Sequence, residues 1–277
     1  MKVEVKRLAE LTTLGVGGEA EVWTVETSAD LLEATSAPYR VLGNGSNLLV
    51  SDRGVSERVI KLGGVFANAS LGEPRSLEHV TPWLGAGALL PSLVQEARRL
   101  GLSGLEPLLG IPASLGGAVR MNAGTRFGEI GDVLEAVEIF HDGALHVYHP
   151  DQLGLGYRQS RLPAGGIVTR VRLRLRRSDP ATIEARMQAV DAARKGQPKR
   201  KSAGCAFKNP PGDSAGRLID KAGFKGLRAG GAMISHEHGN FVVNTGGASA
   251  ADVWKLVKRI QEELSLELEW EIWGELP

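Results

Sequence analysis

The sequence predicts a mixed α+β protein built in three consecutive parts. Helix and strand signals alternate over the first sixty residues, antiparallel hairpin signals dominate the middle, and a strand, a long helix and a last strand close the chain. The length of 277 residues exceeds the roughly 100–200 of one domain, which agrees with more than one packed unit. Glycine is the compositional outlier, with 36 residues and no fixed repeat. At about 13% against a usual ~7%, it calls for tight turns or for backbone lying close to something.

Taken in order, Glu19 to Glu26 reads as a strand, Ser28 as the cap of a short helix over Asp30 to Thr35, and Tyr39 to Leu42 as a further strand. After the loop Gly43-Asn44-Gly45-Ser46-Asn47, the short apolar runs Leu48 to Val50 and Val59 to Leu62 suit buried strands. Between residues 61 and 130 stand 12 glycines and one long helix, with Pro91 in its first turn, apolar Leu93, Val94, Ala97 and Leu100, and Gly101 as its stop. Strands Val133 to Phe140 and Ala144 to Tyr148 flank His141-Asp142-Gly143, whose Asp-Gly step is a hairpin signal. Ile167 to Arg176 alternates strictly, with Arg170, Arg172, Arg174 and Arg176 on one side. That row is either an anion-binding face or a solvated face whose charges guard against edge-to-edge pairing.

A helix from Pro180 to Arg194 leads into the basic linker KGQPKRKS. Beyond it come a Gly-rich stretch to Gly231, a strand Asn240 to Asn244, a helix from Ser249 to Leu264 and a strand Leu266 to Trp273. The expected domains are therefore residues 1–60, a small α/β unit; 61–178, an α+β unit; and 179–277, a second α+β unit.

Charge narrows the function. With 33 Lys+Arg against 32 Asp+Glu, the chain lacks the large electrostatic term that binds polyanions, so nucleic acid is not an expected partner. No run approaches the ~18 apolar residues of a membrane span, and membrane insertion is not expected. The single Cys205 excludes an internal disulfide, and the opening MKVEVKRLAE lacks the apolar core of a signal peptide, so a cytoplasmic location is expected.

Five constellations have chemistry in reach. In the loop of Gly43, Asn44, Gly45, Ser46 and Asn47, glycines without side chains let amide N–H groups converge on phosphate oxygens, while Asn and Ser add neutral donors. A tight turn between strands reads equally well. It is no dinucleotide fingerprint, since Leu48 occupies the place of the third glycine. The segment Gly110, Ile111, Pro112, Ala113, Ser114, Gly116, Gly117, Asn122, Ala123 and Gly124 suits buried backbone against a flat ligand or its pyrophosphate, or a structural crossing between elements. Gly85-Ala86-Gly87 is a weaker version. In Ser202 to Pro210 the thiol of Cys205 either fills a core gap or works beside the donors Lys208 and Asn209, with Arg194 and Lys195 in the preceding basic stretch suiting an anionic substrate. His236 and His238 with one Cys do not give metal-ligand spacing, so no metal is expected. Tyr157-Arg158-Gln159-Ser160 is by itself a loop with a solvated charge, and Glu269 with Glu271 an acidic strand face.

Taken together and in this order, Thr12-Thr13-Leu14-Gly15-Val16-Gly17-Gly18, the 43–47 loop, the 101–124 stretch, Tyr157 to Ser160, Ser202 to Pro210, the 215–235 stretch and Leu268 to Glu275 resemble the UDP-N-acetylenolpyruvoylglucosamine reductases, flavoenzymes of bacterial cell-wall synthesis. The resemblance spans nearly the whole chain. It implies an FAD-binding region of the vanillyl-alcohol-oxidase type in two subdomains, then a substrate-binding domain. It implies FAD held by the glycine-rich segments, NADPH as cosubstrate, and UDP-N-acetylglucosamine enolpyruvate as substrate, bound in part by Tyr157, Arg194, Lys195, Lys208 and Asn209. Arg158 and Glu269 would stabilise the enolic intermediate and Cys205 would give the proton. The family commonly has serine at this last position. A thiol of ordinary pKa about 8.5 stays protonated at pH 7 and is a stronger acid than an alcohol, so the role survives the exchange, with oxidation as an added liability. The chain lacks the insertion of the longer form of the family, and a monomer is expected. Two other readings are an FAD oxidase of the same fold and a non-catalytic nucleotide-sugar binding module.

Overall fold

The computed structural model describes all 277 residues. Its helices are α1 (Ser28–Ala34), α2 (Leu90–Arg99), α3 (Leu115–Met121), α4 (Pro180–Arg194), α5 (Ala215–Lys221) and α6 (Ala250–Leu264). No helix is long and apolar enough to cross a membrane. A four-stranded sheet runs in the order Lys2–Arg7, Glu19–Val25, Arg58–Leu62, Tyr39–Val41. The cap of α1 is Thr27 rather than Ser28. The Thr27 hydroxyl accepts from the Asp30 N–H, and the Asp30 carboxylate accepts in return from the N–H groups of Glu26 and Thr27, a reciprocal arrangement that Ser28 cannot offer.

The chain forms two compact units. One comprises residues 1–2, 23–43 and 60–195, and the other 3–22, 44–59 and 196–277. Two early stretches cluster with the C-terminal residues, and α4 ends the first unit.

In the first unit the central strand is Ile167–Arg177. It pairs antiparallel with Leu134–His141, Glu78–Val80, Leu84–Gly85 and Leu102–Ser103. Leu134–His141 in turn pairs with Ala144–Tyr148, and Asp142 (φ 50°) and Gly143 (φ 76°) make the tight turn that the Asp-Gly step predicts. Val171, Leu173 and Leu175 are buried with Leu93 of α2, Leu115 and Val119 of α3 and Ile183 of α4 in one apolar cluster. Each such side chain contributes roughly 1.5–3 kcal/mol when removed from water. The arginine row is occupied by carboxylates on neighbouring strands. Arg170 pairs with buried Glu138, Arg174 with Glu135 and Arg176 with Glu78, while Arg172 lies 4.8 Å above the Trp83 ring. The face is a salt-bridged sheet surface.

In the second unit a sheet runs Lys201–Cys205, Phe241–Asn244, Ala232–Ile234, Arg228–Ala229, all antiparallel. Helix α6 buries Val253, Leu256, Val257 and Ile260, the one-faced stripe of a 3.6-residue period. Ser249, read from the sequence as its first residue, is its N-cap. Asp52 adds a second cap, its two oxygens accepting from the N–H groups of Ala250 and Ala251 at 2.8 and 3.1 Å. Leu48–Val50 pairs in parallel with Glu271–Trp273. The expected last strand from Leu266 is therefore cut to three residues. Trp270 and Trp273 are both buried, an i, i+3 pair that strict alternation cannot place on one face.

Candidate functional site

In the second unit the 44–47 part of the loop is anchored from the N-terminal Thr-Thr-Leu-Gly motif. The Thr13 N–H donates to the Gly45 carbonyl at 3.0 Å, and the Thr13 hydroxyl to the Ser202 carbonyl at 2.7 Å, which ties the loop to the strand that ends in Cys205. Gly45 is buried with φ +62°, and a side-chain carbon there would stand 2.4 Å from the Leu11 carbonyl oxygen. Its glycine is thus required by the chain itself. No chain carbonyl accepts from the N–H of Gly43, Gly45 or Ser46, which leaves three backbone donors to a ligand or to solvent. Asn47 is engaged: its side-chain N–H donates to the Glu269 carbonyl, and its own carbonyl accepts from the Glu271 N–H.

Cys205 is half-buried at the end of its strand. The register with Phe241–Asn244 slips between Ser202 and Cys205, at Gly204 with φ +75°. Such a bulge re-aims the side chain that follows it. A side-chain carbon at Gly204 would meet nothing nearer than the Ser46 carbonyl, at 4.0 Å. The Ala206 carbonyl accepts from the Glu269 N–H at 2.8 Å, and the Lys208 N–H donates to the Glu267 carbonyl at 2.8 Å. Cys205 and Glu269 therefore belong to two directly hydrogen-bonded segments. Lys208 pairs with Glu267 at 2.6 Å, and the Asn209 carboxamide oxygen accepts from the first N–H of α5 at 3.0 Å. Burial, with Lys225 in support, holds the His238 imidazole below its ordinary pKa.

In the first unit the glycines of Trp83 to Gly87 serve the chain. The N–H groups of Gly85, Ala86 and Gly87 donate to the carbonyls of Asn68, Thr169 and Phe66. Side-chain carbons at Gly85 and Gly87 would overlap the backbone at Phe66 and Leu62. These three residues were expected to hold cofactor; their close approach is to neighbouring backbone, and their amides have no donor to spare. Along 110–117 several backbone N–H groups are likewise engaged within the chain. The N–H groups of Ile111, Ala113 and Gly116 donate to Leu108, Ile111 and Ala86, and Gly116 packs on Ala86. Pro112 has no N–H to give. The Ser114 hydroxyl caps α3 at Gly117 and stands where a side chain on Gly43 would fall, 2.5 Å away. Gly117 otherwise faces open space. The Gly110 carbonyl accepts from the Arg194 guanidinium at 2.8 Å, which places Arg194 on this segment, and Lys195 follows as the C-cap of α4.

Asn122 is the most heavily bonded side chain of the 110–124 segment. It is fully buried, left-handed at φ 42°, and ends α3. Its side chain donates to Glu129 (2.6 Å) and to the Gly156 carbonyl (3.1 Å) and accepts from the Gly131 N–H (3.1 Å). That ties the 129–131 segment to Gly156 in the loop that carries Arg158. Gly156 and Gln159 exchange two hydrogen bonds across this turn, Arg158 is held at φ 55°, and its guanidinium donates to the Gly124 carbonyl at 2.8 Å. The Ala123 N–H returns to Ala118. Tyr157, half exposed, lies under the Arg158 guanidinium at 5.2 Å. What the sequence did not reveal is Asn122 as the hub of this loop and Asn240 beside the Cys205 segment; side-chain bonds to distant backbone leave no local pattern.

Residues 197–274 match the model of the UDP-N-acetylenolpyruvoylglucosamine reductase C-terminal domain, and residues 21–146 that of an FAD-binding domain. A UDP-N-acetylenolpyruvoylglucosamine reductase of Thermus thermophilus is 68% identical over 99% of this chain and 100% of its own length. One from Deinococcus radiodurans is 54% identical over 99% of this chain and 97% of its own. The crystal structure of the Thermus caldophilus enzyme (MurB) superposes with a TM-score of 0.94 at 68% identity, covering 99% of this chain and all of that one. The expected FAD-binding region and C-terminal α+β domain are both present. The N–H groups of Gly43, Gly45 and Ser46 suit an anionic ligand such as a dinucleotide phosphate, and the chain belongs to the UDP-N-acetylenolpyruvoylglucosamine reductase family of FAD-dependent oxidoreductases.

Proposed function

We propose that the chain reduces UDP-N-acetylglucosamine enolpyruvate to UDP-N-acetylmuramate with NADPH, acting as a monomer in the cytoplasm. Bound FAD, once reduced by NADPH, supplies the hydride that adds at C3 of the enolpyruvyl group. The chain's own residues do the rest. Gly43, Gly45 and Ser46 offer amides to the FAD pyrophosphate. Arg158 pairs with the substrate carboxylate, where charge grows as the hydride arrives, and Glu269 holds the enolic form by hydrogen bonding. The Cys205 thiol gives its proton to C2, and the resulting thiolate regains one from solvent. Lys208 exchanges its pairing with Glu267 for the substrate diphosphate, and Tyr157, Asn209 and Lys195 line the approach of the sugar nucleotide.

The observation that supports this best is the direct pairing of the Cys205 and Glu269 segments through the Ala206 carbonyl, which ties a proton donor and an acid group to one another at the end of a bulged strand. The test separates two half-reactions. The purified protein is yellow, NADPH bleaches it, and the enolpyruvyl substrate restores the colour. In Cys205→Ala, bleaching survives while restoration falls by about 10²–10⁴-fold, the usual weight of a general acid. Equal loss of both steps, or a protein that binds no FAD, refutes the reading.

A further inference from the structure

We propose that Asn240 is a positioning residue that sets where the Cys205 thiol and Glu269 stand, an inference that rests on the donor role of Cys205. Asn240 is 2% exposed. Its carboxamide oxygen accepts from the Phe207 N–H at 2.9 Å and its NH₂ donates to the Phe207 carbonyl at 2.8 Å, while its backbone carbonyl accepts from the Ala206 N–H at 2.9 Å. Only this orientation of the amide satisfies both Phe207 groups.

The geometry explains why an amide is needed. The ladder between Lys201–Cys205 and Phe241–Asn244 ends at the pair Cys205 and Phe241. Just before Phe241 the chain turns back on itself, the Phe241 N–H closing onto the His238 carbonyl at 3.0 Å. Past Cys205 no strand remains on that side, yet Phe207 is 1% exposed and its N–H and C=O must be met. The Asn240 side chain has the donor and acceptor of a peptide group and takes the place of the missing strand residue. On the opposite side, 206–208 is held by Glu269 and Glu267 through the Ala206 carbonyl and the Lys208 N–H, with Phe207 and Leu268 bridged. The three residues after Cys205 thus lie between Asn240 on one flank and the Glu269 segment on the other. Without the Asn240 side-chain bonds, only the Ala206 N–H keeps its hold on that flank, and the thiol one residue before and the carboxyl bonded across shift together. An aspartate keeps the size but sets a carboxylate against the Phe207 carbonyl; a leucine keeps the volume and satisfies neither group.

The experiment uses FAD-loaded Asn240→Asp and Asn240→Leu beside Cys205→Ala, with the two half-reactions and the alkylation rate of Cys205 by iodoacetamide measured separately. A displacement near 1 Å costs about 10²-fold in rate. The expected result is bleaching by NADPH within about twofold of the parent, substrate-driven recovery of colour about 10²-fold slower with substrate affinity little changed, and an altered alkylation rate. If Asn240→Leu fails to fold, Asn240→Asp decides alone. Recovery at the parental rate in a folded variant overturns the proposal, as does equal loss of both half-reactions or an unchanged alkylation rate. Should Cys205→Ala leave the second step intact, the donor reading fails instead.

Discussion

Replacing Asn122 by alanine should destabilise the first unit by about 3–5 kcal/mol. The Gly131 N–H loses its partner in a part-buried setting, at about 1–2 kcal/mol, and the Gly156 carbonyl, which keeps the Gln159 N–H, loses its second donor at about 0.5–1 kcal/mol. The Glu129 carboxylate loses a 2.6 Å bond but can rehydrate, which limits its share to about 0.5–1 kcal/mol. A residue with a Cβ at φ 42°, without the local hydrogen bonds that favour asparagine there, adds about 1 kcal/mol. Asn122→Gly separates the two causes, because it loses the same bonds without the left-handed penalty and should stand about 1 kcal/mol above alanine. Urea unfolding followed by circular dichroism reads both. With a slope of roughly 3 kcal/mol per molar, a loss of about 4 kcal/mol moves the midpoint down by a little over 1 M. A glycine variant within about 0.5 kcal/mol of the parent, or an alanine variant more stable than the glycine one, refutes the assignment of Asn122 as a structural hub.

Two further outcomes follow from other parts of the molecule. His238 has a folded pKa below its ordinary ~6.5 because burial favours the neutral ring, and its Nδ1 accepts from the Asn240 N–H at 3.2 Å. The unfolded chain takes up the proton first, so the His238 contribution is fully present above about pH 6.5 and is lost as pH falls from there toward the folded pKa. Melting temperature should drop between pH 7.5 and 5.5, and His238→Gln should flatten that slope; an unchanged slope counts against it. Gly45→Ala places a carbon 2.4 Å from the Leu11 carbonyl oxygen at φ +62°, with an expected loss of about 2–4 kcal/mol and of bound flavin colour. A variant that keeps both its melting temperature and its flavin would show that the loop yields freely.

The parts legible in the sequence are those with local causes. The turn at Asp142-Gly143 needs two left-handed residues, α4 starts at a Pro after an Asp, and α6 follows a Ser with an Asp three residues on; each signal is complete within a few positions. Helices α3 and α5 lie in stretches whose sequence shows only an excess of glycine. Each has seven residues, and α3 carries Gly116 and Gly117, each about 1 kcal/mol less favourable than alanine. Their stability comes from Ser114 and Ser214 caps and from packing, which no short window displays. The glycines of the site posed a different problem. Composition says that backbone comes close to something, and only the folded chain reveals that for Gly85 and Gly87 the something is Phe66 and Leu62, whereas the amides at Gly45 and Ser46 remain open.

The second unit is drawn from residues 3–22, 44–59 and 196–277, and this has a consequence for synthesis. Leu14, Val16 and Leu49, almost wholly buried in the finished unit, leave the ribosome well before the residues that cover them. Strand Leu48–Val50 waits for Glu271–Trp273, and Asp52 for the start of α6. At about 5–20 residues per second, the interval is roughly 10–40 s. Throughout it an apolar strand with unmet backbone groups is exposed on the nascent chain, so the period of greatest vulnerability to aggregation falls during translation.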